Sequence, residues 1–252
     1  MTTALAPAER TLHVEHCMGT VFTIDVRDAG DWTDAVDAVV RWLHFVDATF
    51  STYRTHSDIN KIRRGELGVD EADRHVAEVL GLCVEAQRAT GGYFTAQPDG
   101  RLDPTGLVKG WAIERASLLL RRLGSDNHAI NGGGDMQLAG ESSPGQPWTV
   151  GIADPADRTR VLTTVRGRDL AVATSGVSER GAHIVDPFTR QPALGLASAT
   201  VIGPSLTEGD AYATAACAMG AAALSWIESL GDYDALLVTP DARQLTTAHW
   251  PS

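Results

Sequence analysis

An α+β fold is predicted by three observations. Helix-period apolar stripes crowd the first half of the chain, strand-period segments crowd the second, and no regular strand–helix alternation links them. The first periodic element is a strand over residues 21–26, where Phe22, Ile24 and Val26 alternate with Thr23 and Asp25. Residues 34–48 follow as a helix with Val36, Val39, Leu43 and Val46 on one face. Its end runs into Phe50-Ser51-Thr52-Tyr53. A second helix, 71–89, buries Val76, Val79, Leu80 and Cys83 and is stopped by Gly91-Gly92. A third spans 105–123, with Ala112, Ala116, Leu119, Leu120 and Leu123 inward and Gly124 closing it. From 127 to 201 the pattern turns to short strands separated by Gly, Pro and Asp, such as 148–152 and 170–174. A last long helix, 210–230, ends at Gly231, and 233–238 reads as a returning strand.

The chain has 252 residues, 43% hydrophobic and 21% charged, enough to bury a sizeable core. With no linker, repeat or low-complexity tract, a single domain over 1–252 is expected, with 1–14 as a flexible N-terminal tail. The formal net charge of -11 repels phosphate backbones, so nucleic acid is not an expected partner. A phosphate-bearing ligand must then be received locally, by a metal, a lysine or a helix N-terminus. Cys17, Cys83 and Cys217 are too scattered for a disulfide framework or a zinc site and read as small buried hydrophobes. No apolar run marks a signal peptide, lipoprotein anchor or membrane span, so a cytoplasmic protein without membrane insertion is expected.

Two motifs are set aside. Gly132-Gly133-Gly134 lacks the Gly-Lys-Ser/Thr ending of a phosphate-binding loop and the third glycine of GxGxxG, leaving a tight turn after a strand. Ser175, His183 and Asp186 have no GxSxG context, since position 173 is Ala, so a hydrolase triad is not supported.

Three clusters remain. Asp210, Ala213 and Thr214 share one helix face, where a carboxylate, a hydroxyl and a carbonyl suit a hard cation; a plain helix cap explains the Asp equally well. Placed in a first turn, as expected here, they would also leave backbone N–H groups for an anion. Asp103-Pro104-Thr105-Gly106-Leu107-Val108-Lys109-Gly110 combines an acid, a closely approachable glycine and a lysine that delivers charge to phosphates. A helix start with a solvated lysine is the alternative. In His183-Ile184-Val185-Asp186-Pro187 the histidine either takes a proton from a hydroxyl or is satisfied by the turn beside it.

In order, Met18-Gly19-Thr20, Phe50-Ser51-Thr52-Tyr53, Gly92-Tyr93-Phe94, Asp103 to Lys109-Gly110, Asn131 to Asp135, Thr174-Ser175-Gly176, His183 to Pro187 and Asp210 to Thr214 resemble the ApbE family of flavin transferases. The resemblance covers about residues 15–225. It implies an ApbE-like fold with an FAD and metal cleft between lobes. The implied activity is Mg²⁺-dependent transfer of FMN from FAD to a Thr or Ser hydroxyl of an acceptor flavoprotein, releasing AMP. By the same resemblance Asp210 and Thr214 ligate the metal through side chains, and Gly106 and Ala213 through carbonyls. Met18, Tyr53, Tyr93, Phe94, Thr95, Asp103, Lys109 and Ile184 line the FAD site, and His183 is the catalytic base. Two positions depart from the family pattern. Thr95 stands where Asp is usual and offers a hydroxyl instead of a carboxylate; Trp111 stands where Tyr is usual. The same site attacked by water would make an FAD pyrophosphatase, and an inert one a flavin-binding protein.

Overall fold

The computed structural model describes residues 10–176 and 184–251. Among these, eight strands form one antiparallel sheet in the order β1-β2-β3-β4-β7-β8-β9-β10, and β5 and β6 pair as a separate ribbon. The strands are β1 (Thr11–Cys17), β2 (Thr20–Val26), β3 (His128–Gly132), β4 (Asp135–Ala139), β5 (Trp148–Ala153), β6 (Val161–Gly167), β7 (Ala171–Gly176), β8 (Ser198–Gly203), β9 (Asp234–Val238) and β10 (Gln244–Thr246). The helices are α1 (Thr33–Phe50), α2 (Asp58–Arg63), α3 (Arg74–Ala89), α4 (Thr105–Arg122), α5 (Leu206–Met219) and α6 (Ala223–Leu230). The expected α+β class holds.

Chain order explains the layering. Helices α1–α4 lie between β2 and β3, and α5–α6 between β8 and β9, yet each flanking strand pair is adjacent in the sheet. Alternation along the strands then sorts side chains to opposite faces. Ala171 and Ala173 join the helices in the larger core, whereas Val172 joins Trp148, Val150, Ile152 and Val165 of the ribbon in a second one. The result is helices on one sheet face and the ribbon on the other.

Several expectations shift. Residues 11–14, expected in a flexible tail, are the first half of β1, paired with β2 from Thr11↔Val26 onward. Helix α2 was hidden by its brevity; Ser57 caps it by accepting from the Asn60 amide at 3.1 Å. The helix expected from 71 begins at Arg74 because Asp73 takes the cap, accepting from the His75 amide at 2.9 Å. Leu80 is half-buried, and Leu123, one residue beyond α4, is 49% exposed rather than inward.

The expected 210–230 helix is two helices, separated by a 3₁₀ turn at Gly220–Ala222, and the first starts four residues earlier, at Leu206. Ser205 is its cap and accepts from the Glu208 amide at 3.3 Å. Glu114 of α4 accepts from the Thr207 amide at 2.8 Å. By length and composition the run Leu206–Leu230 is apolar enough to cross a membrane, against the expectation that none would be. Ten of the fourteen residues of α5 are buried, against α4 on one side and β7 and β8 on the other.

Candidate active site

Gly110 sets the site's frame. A Cβ there would overlap the Leu206 carbonyl oxygen and come 2.7 Å from Asp210 Cβ, so α4 and α5 can cross this closely only at glycine. The Gly110 amide donates to Asp210 Oδ2 at 2.9 Å. In an ideal helix that N–H serves the carbonyl four residues back, here Gly106. One turn further along the crossing, Gly106 faces Thr214: a Cβ on Gly106 would lie 3.8 Å from Thr214 Oγ1. The Ser175 and Thr214 hydroxyls are 3.3 Å apart, and Cys217 Sγ donates to the Ser175 carbonyl at 3.4 Å. Two sequence-distant stretches thus bring the Asp210 carboxylate, the Thr214 hydroxyl and the Gly106 backbone to one wall.

That wall belongs to a cavity of about 630 Å³, within the usual range of about 300–1,000 Å³ for small-molecule sites. Met18, Tyr53, Tyr93, Phe94, Thr95 and Asp103 line it, as do Gly106, Lys109, Ile184, Asp210 and Thr214. Ala213 does not line it; it is fully buried within α5. His183 lies outside the described residues.

Each lining group is placed by local structure. Met18 forms the β1–β2 turn with Gly19 and has φ 50, a left-handed conformation that non-glycine residues rarely take. Tyr53 projects at the mouth, 89% exposed. The Tyr93 ring meets Phe188 edge to face at 4.8 Å. Phe94 is buried against Gly106, and its amide donates to Thr90 Oγ1 at 3.0 Å. Thr95 Oγ1 accepts from the Gln97 amide at 3.1 Å, so the hydroxyl standing in for the family's carboxylate serves a turn. Asp103 lines the cavity, and its Oδ1 accepts from the Thr105 amide and hydroxyl at the start of α4, at 3.0 and 2.6 Å. Asp186 accepts from the Phe188 amide at 2.8 Å and shapes its own turn.

Asp210 is not where the sequence suggests. It is the fifth residue of α5, so the vacant first-turn amides expected beside it are one turn away, already used by Ser205 and Glu114. Its 4% exposure and inward carboxylate make it a wall group rather than a cap.

Electrostatics decides what the cavity can receive. Lys109 Nζ pairs with Asp135 Oδ2 at 2.6 Å, Arg54 Nη2 with Asp47 Oδ2 at 2.5 Å, and Arg63 Nη2 with Asp103 Oδ2 at 3.5 Å. Lys109 is therefore a half-buried ion-pair partner, 19% exposed, and not a solvated lysine. Because every cation named here already faces a carboxylate, additional positive charge would strengthen the hold on a pyrophosphate. The donors are all oxygen and include a single carboxylate, which suits a hard divalent ion that completes its shell with water and ligand phosphates. Among the described residues no group of three or more His, Cys, Asp and Glu forms a metal cage of its own. Cys17, beside Met18, is pushed up to about 11, first by burial and then by the Asp47 charge, and stays a thiol.

Sequence reasoning missed Asp135, Ser175 and Gly110 as contributors. Asp135 entered only as the end of the Asn131 to Asp135 motif. Its signal was position: an acid directly after a two-glycine turn opens the next strand and faces the helices. Ser175 was weighed as a nucleophile and as part of the Thr174-Ser175-Gly176 motif, not as a neighbour of Thr214. Gly110 was read as part of a motif, since a glycine required by a partner helix leaves no local trace.

The model of the ApbE family matches residues 18–97 and 95–237. The FAD:protein FMN transferase of Vibrio cholerae is 31% identical over 133 residues, 49% of this chain and 40% of that protein. That of Rhodobacter capsulatus is 32% identical over 164 residues, 60% of this chain and 31% of that protein. The chain thus aligns with less than half the length of these relatives. Among solved structures, the flavin transferase ApbE from Vibrio cholerae superposes with a TM-score of 0.83 at 21% identity, covering 96% of this chain and 98% of that one. The ApbE protein from Thermotoga maritima gives 0.86 at 21% identity, covering 95% and 97%. At such identities the superpositions establish a shared fold.

Proposed function

The chain belongs to the ApbE family, and on that premise we propose that it transfers FMN from FAD to a Thr or Ser hydroxyl of an acceptor protein, releasing AMP. The observation that carries the reading is the convergence of Asp210, Thr214 and Gly106 beside Lys109 in one flavin-sized cavity. The names of the relatives support the activity, and the paired cations support a metal requirement.

Asp210 and Thr214 would hold Mg²⁺ through side-chain oxygens, with the Gly106 carbonyl beside them. When bound, the ion supplies charge neutralisation to the phosphates of FAD. Tyr53, Tyr93 and Met18 provide ring and thioether surface for the flavin and adenine moieties. Phe94, Thr95, Asp103 and Ile184 complete the walls. Lys109 places its ammonium at the phosphates. The acceptor oxygen attacks the FMN phosphorus, the anhydride bond to AMP breaks, and the hydroxyl proton passes to a base, the role assigned to His183.

The test is direct. Incubate the protein with FAD, Mg²⁺ and an acceptor domain carrying a Thr, then follow FMN mass on the acceptor and AMP in solution. Adduct with equimolar AMP is expected. Free FMN with AMP and no adduct would mean that water is the nucleophile. A retained yellow ligand without turnover would reduce the protein to a flavin binder.

A further inference from the structure

The geometry points to Asp135 as the positioning residue for Lys109, an inference that rests on the transferase reading and deepens it. Asp135 opens β4 directly after Gly133 and Gly134, whose φ values of 63 and 103 make the two-residue hairpin turn from β3. Its carboxylate has no solvent exposure. Oδ1 accepts from the Thr174 amide at 2.9 Å, at a point where the β4–β7 backbone pairing, last seen at Met136↔Val172, has already stopped. Oδ2 lies 2.6 Å from Lys109 Nζ, its ion-pair partner. One oxygen thus fixes the carboxylate to the strand that carries Ser175, and the other fixes the ammonium.

The consequence follows from burial. Drawing Lys109 away toward a ligand would strand a buried carboxylate, which is strongly unfavourable. Lys109 therefore stays on Asp135, and since an ammonium has three N–H donors the same group serves Asp135 and a phosphate oxygen together. The pair has no net charge, so it attracts resting FAD weakly. What Asp135 adds is placement: a positive group already fixed where charge builds on the phosphate oxygens as the anhydride bond breaks. Removing the Asp135 charge should therefore spare binding and impair turnover.

The experiment compares Asp135→Asn, Lys109→Met and the double variant with the native chain. The dissociation constant for FAD is read without divalent ion from flavin fluorescence, and kcat and KM from AMP release with Mg²⁺ and acceptor. Asp135→Asn, which keeps an oxygen for the Thr174 amide, is expected to bind FAD at least as tightly as the native chain. Its kcat should fall about 10- to 100-fold, the usual cost of losing a group that orients a functional one. Lys109→Met should weaken FAD binding and lower kcat. The double variant should match Lys109→Met in kcat, because Asp135 has nothing left to position. Weaker FAD binding with unchanged kcat in Asp135→Asn, or losses that multiply in the double variant, would overturn the assignment. If Asp135→Asn does not fold, the double variant, in which no buried charge remains, carries the comparison with Lys109→Met. A native chain that binds FAD but transfers nothing defeats the transferase reading alone; the fluorescence arm then still decides, with weaker binding by Asp135→Asn counting against the positioning role.

Discussion

On its helical face the eight-stranded sheet buries carboxylates, hydroxyls and a histidine against α4 and α5. On the opposite face it meets the β5–β6 ribbon through Trp148, Val150, Ile152 and Val165. The helical face pairs nearly every buried polar group with a specific partner: Asp210 with the Gly110 amide, Asp135 with Lys109, His128 with Ser117 and Ser125. The ribbon face is held mainly by apolar area, with the Trp148 indole N–H donating to the Ala139 carbonyl at 2.9 Å and one buried carboxylate, Asp25, paired with Arg10 and Arg27. The difference separates stability from chemistry. Burial of apolar area would serve as well on either face, so the costly buried charges of the helical face are explained by the site they frame.

Substitutions on the two faces should divide accordingly. The largest effect is expected from Trp148→Ala, about 3–5 kcal/mol of stability for a truncated buried aromatic, with kcat of the folded protein unchanged. Urea unfolding and turnover on one preparation check both halves, and a fall in kcat would blur the division. Asp210→Asn should do the reverse: turnover falls by about 10²- to 10³-fold, the scale of losing a group that stabilises transition-state charge. Its apparent affinity for Mg²⁺, read by titrating turnover with the ion, should fall as well.

His128 offers a pH test of the helical face. Burial pushes its imidazole down to about 4, with the nearby Arg121 charge adding to the shift. At pH 7 it is neutral in the folded chain and mostly neutral in the unfolded one. As pH falls below about 6.5 the unfolded chain takes up a proton that the folded chain refuses, so stability drops until about pH 4 and then levels. The loss from this group is about 3 kcal/mol. Unfolding measured at pH 7 and pH 4.5 in the native chain and in His128→Gln should show a steeper decline in the native chain; parallel declines would remove His128 from the account.

The smallest effect concerns the crossing itself. Gly110→Ala forces a methyl group into the α5 backbone and should cost about 2 kcal/mol, together with activity. Gly209→Ala, whose methyl would sit 3.5 Å from Ala173 Cβ, is an ordinary contact and should change stability by less than about 1 kcal/mol. Equal effects from the two would mean that the crossing is not held at Gly110.

Most helices and strands were legible because period and punctuation are local signals. Val36, Val39, Leu43 and Val46 repeat at helical spacing, and all four are buried where the pattern put them. The start of α5 was misread although its cap is local, since Ser205 accepts from the Glu208 amide; the second support, Glu114 on the Thr207 amide ninety-three residues away, lies outside any window along the chain. The lining of the cavity was legible through the ordered motifs, since Met18, Tyr93, Asp103, Lys109, Asp210 and Thr214 all reach it.

By itself the sequence determined the fold class, most of the elements and the family, because each is written in residue order and spacing. Only the tertiary structure decided that Lys109 is neutralised by Asp135, that Ser175 meets Thr214 and that Gly110 must lack a side chain. Those facts depend on atoms brought within a few ångströms by the packing of α4 on α5 and of both on the sheet. Coulomb attraction, hydrogen bonding and steric overlap act over distances through space, and sequence separation carries no information about them.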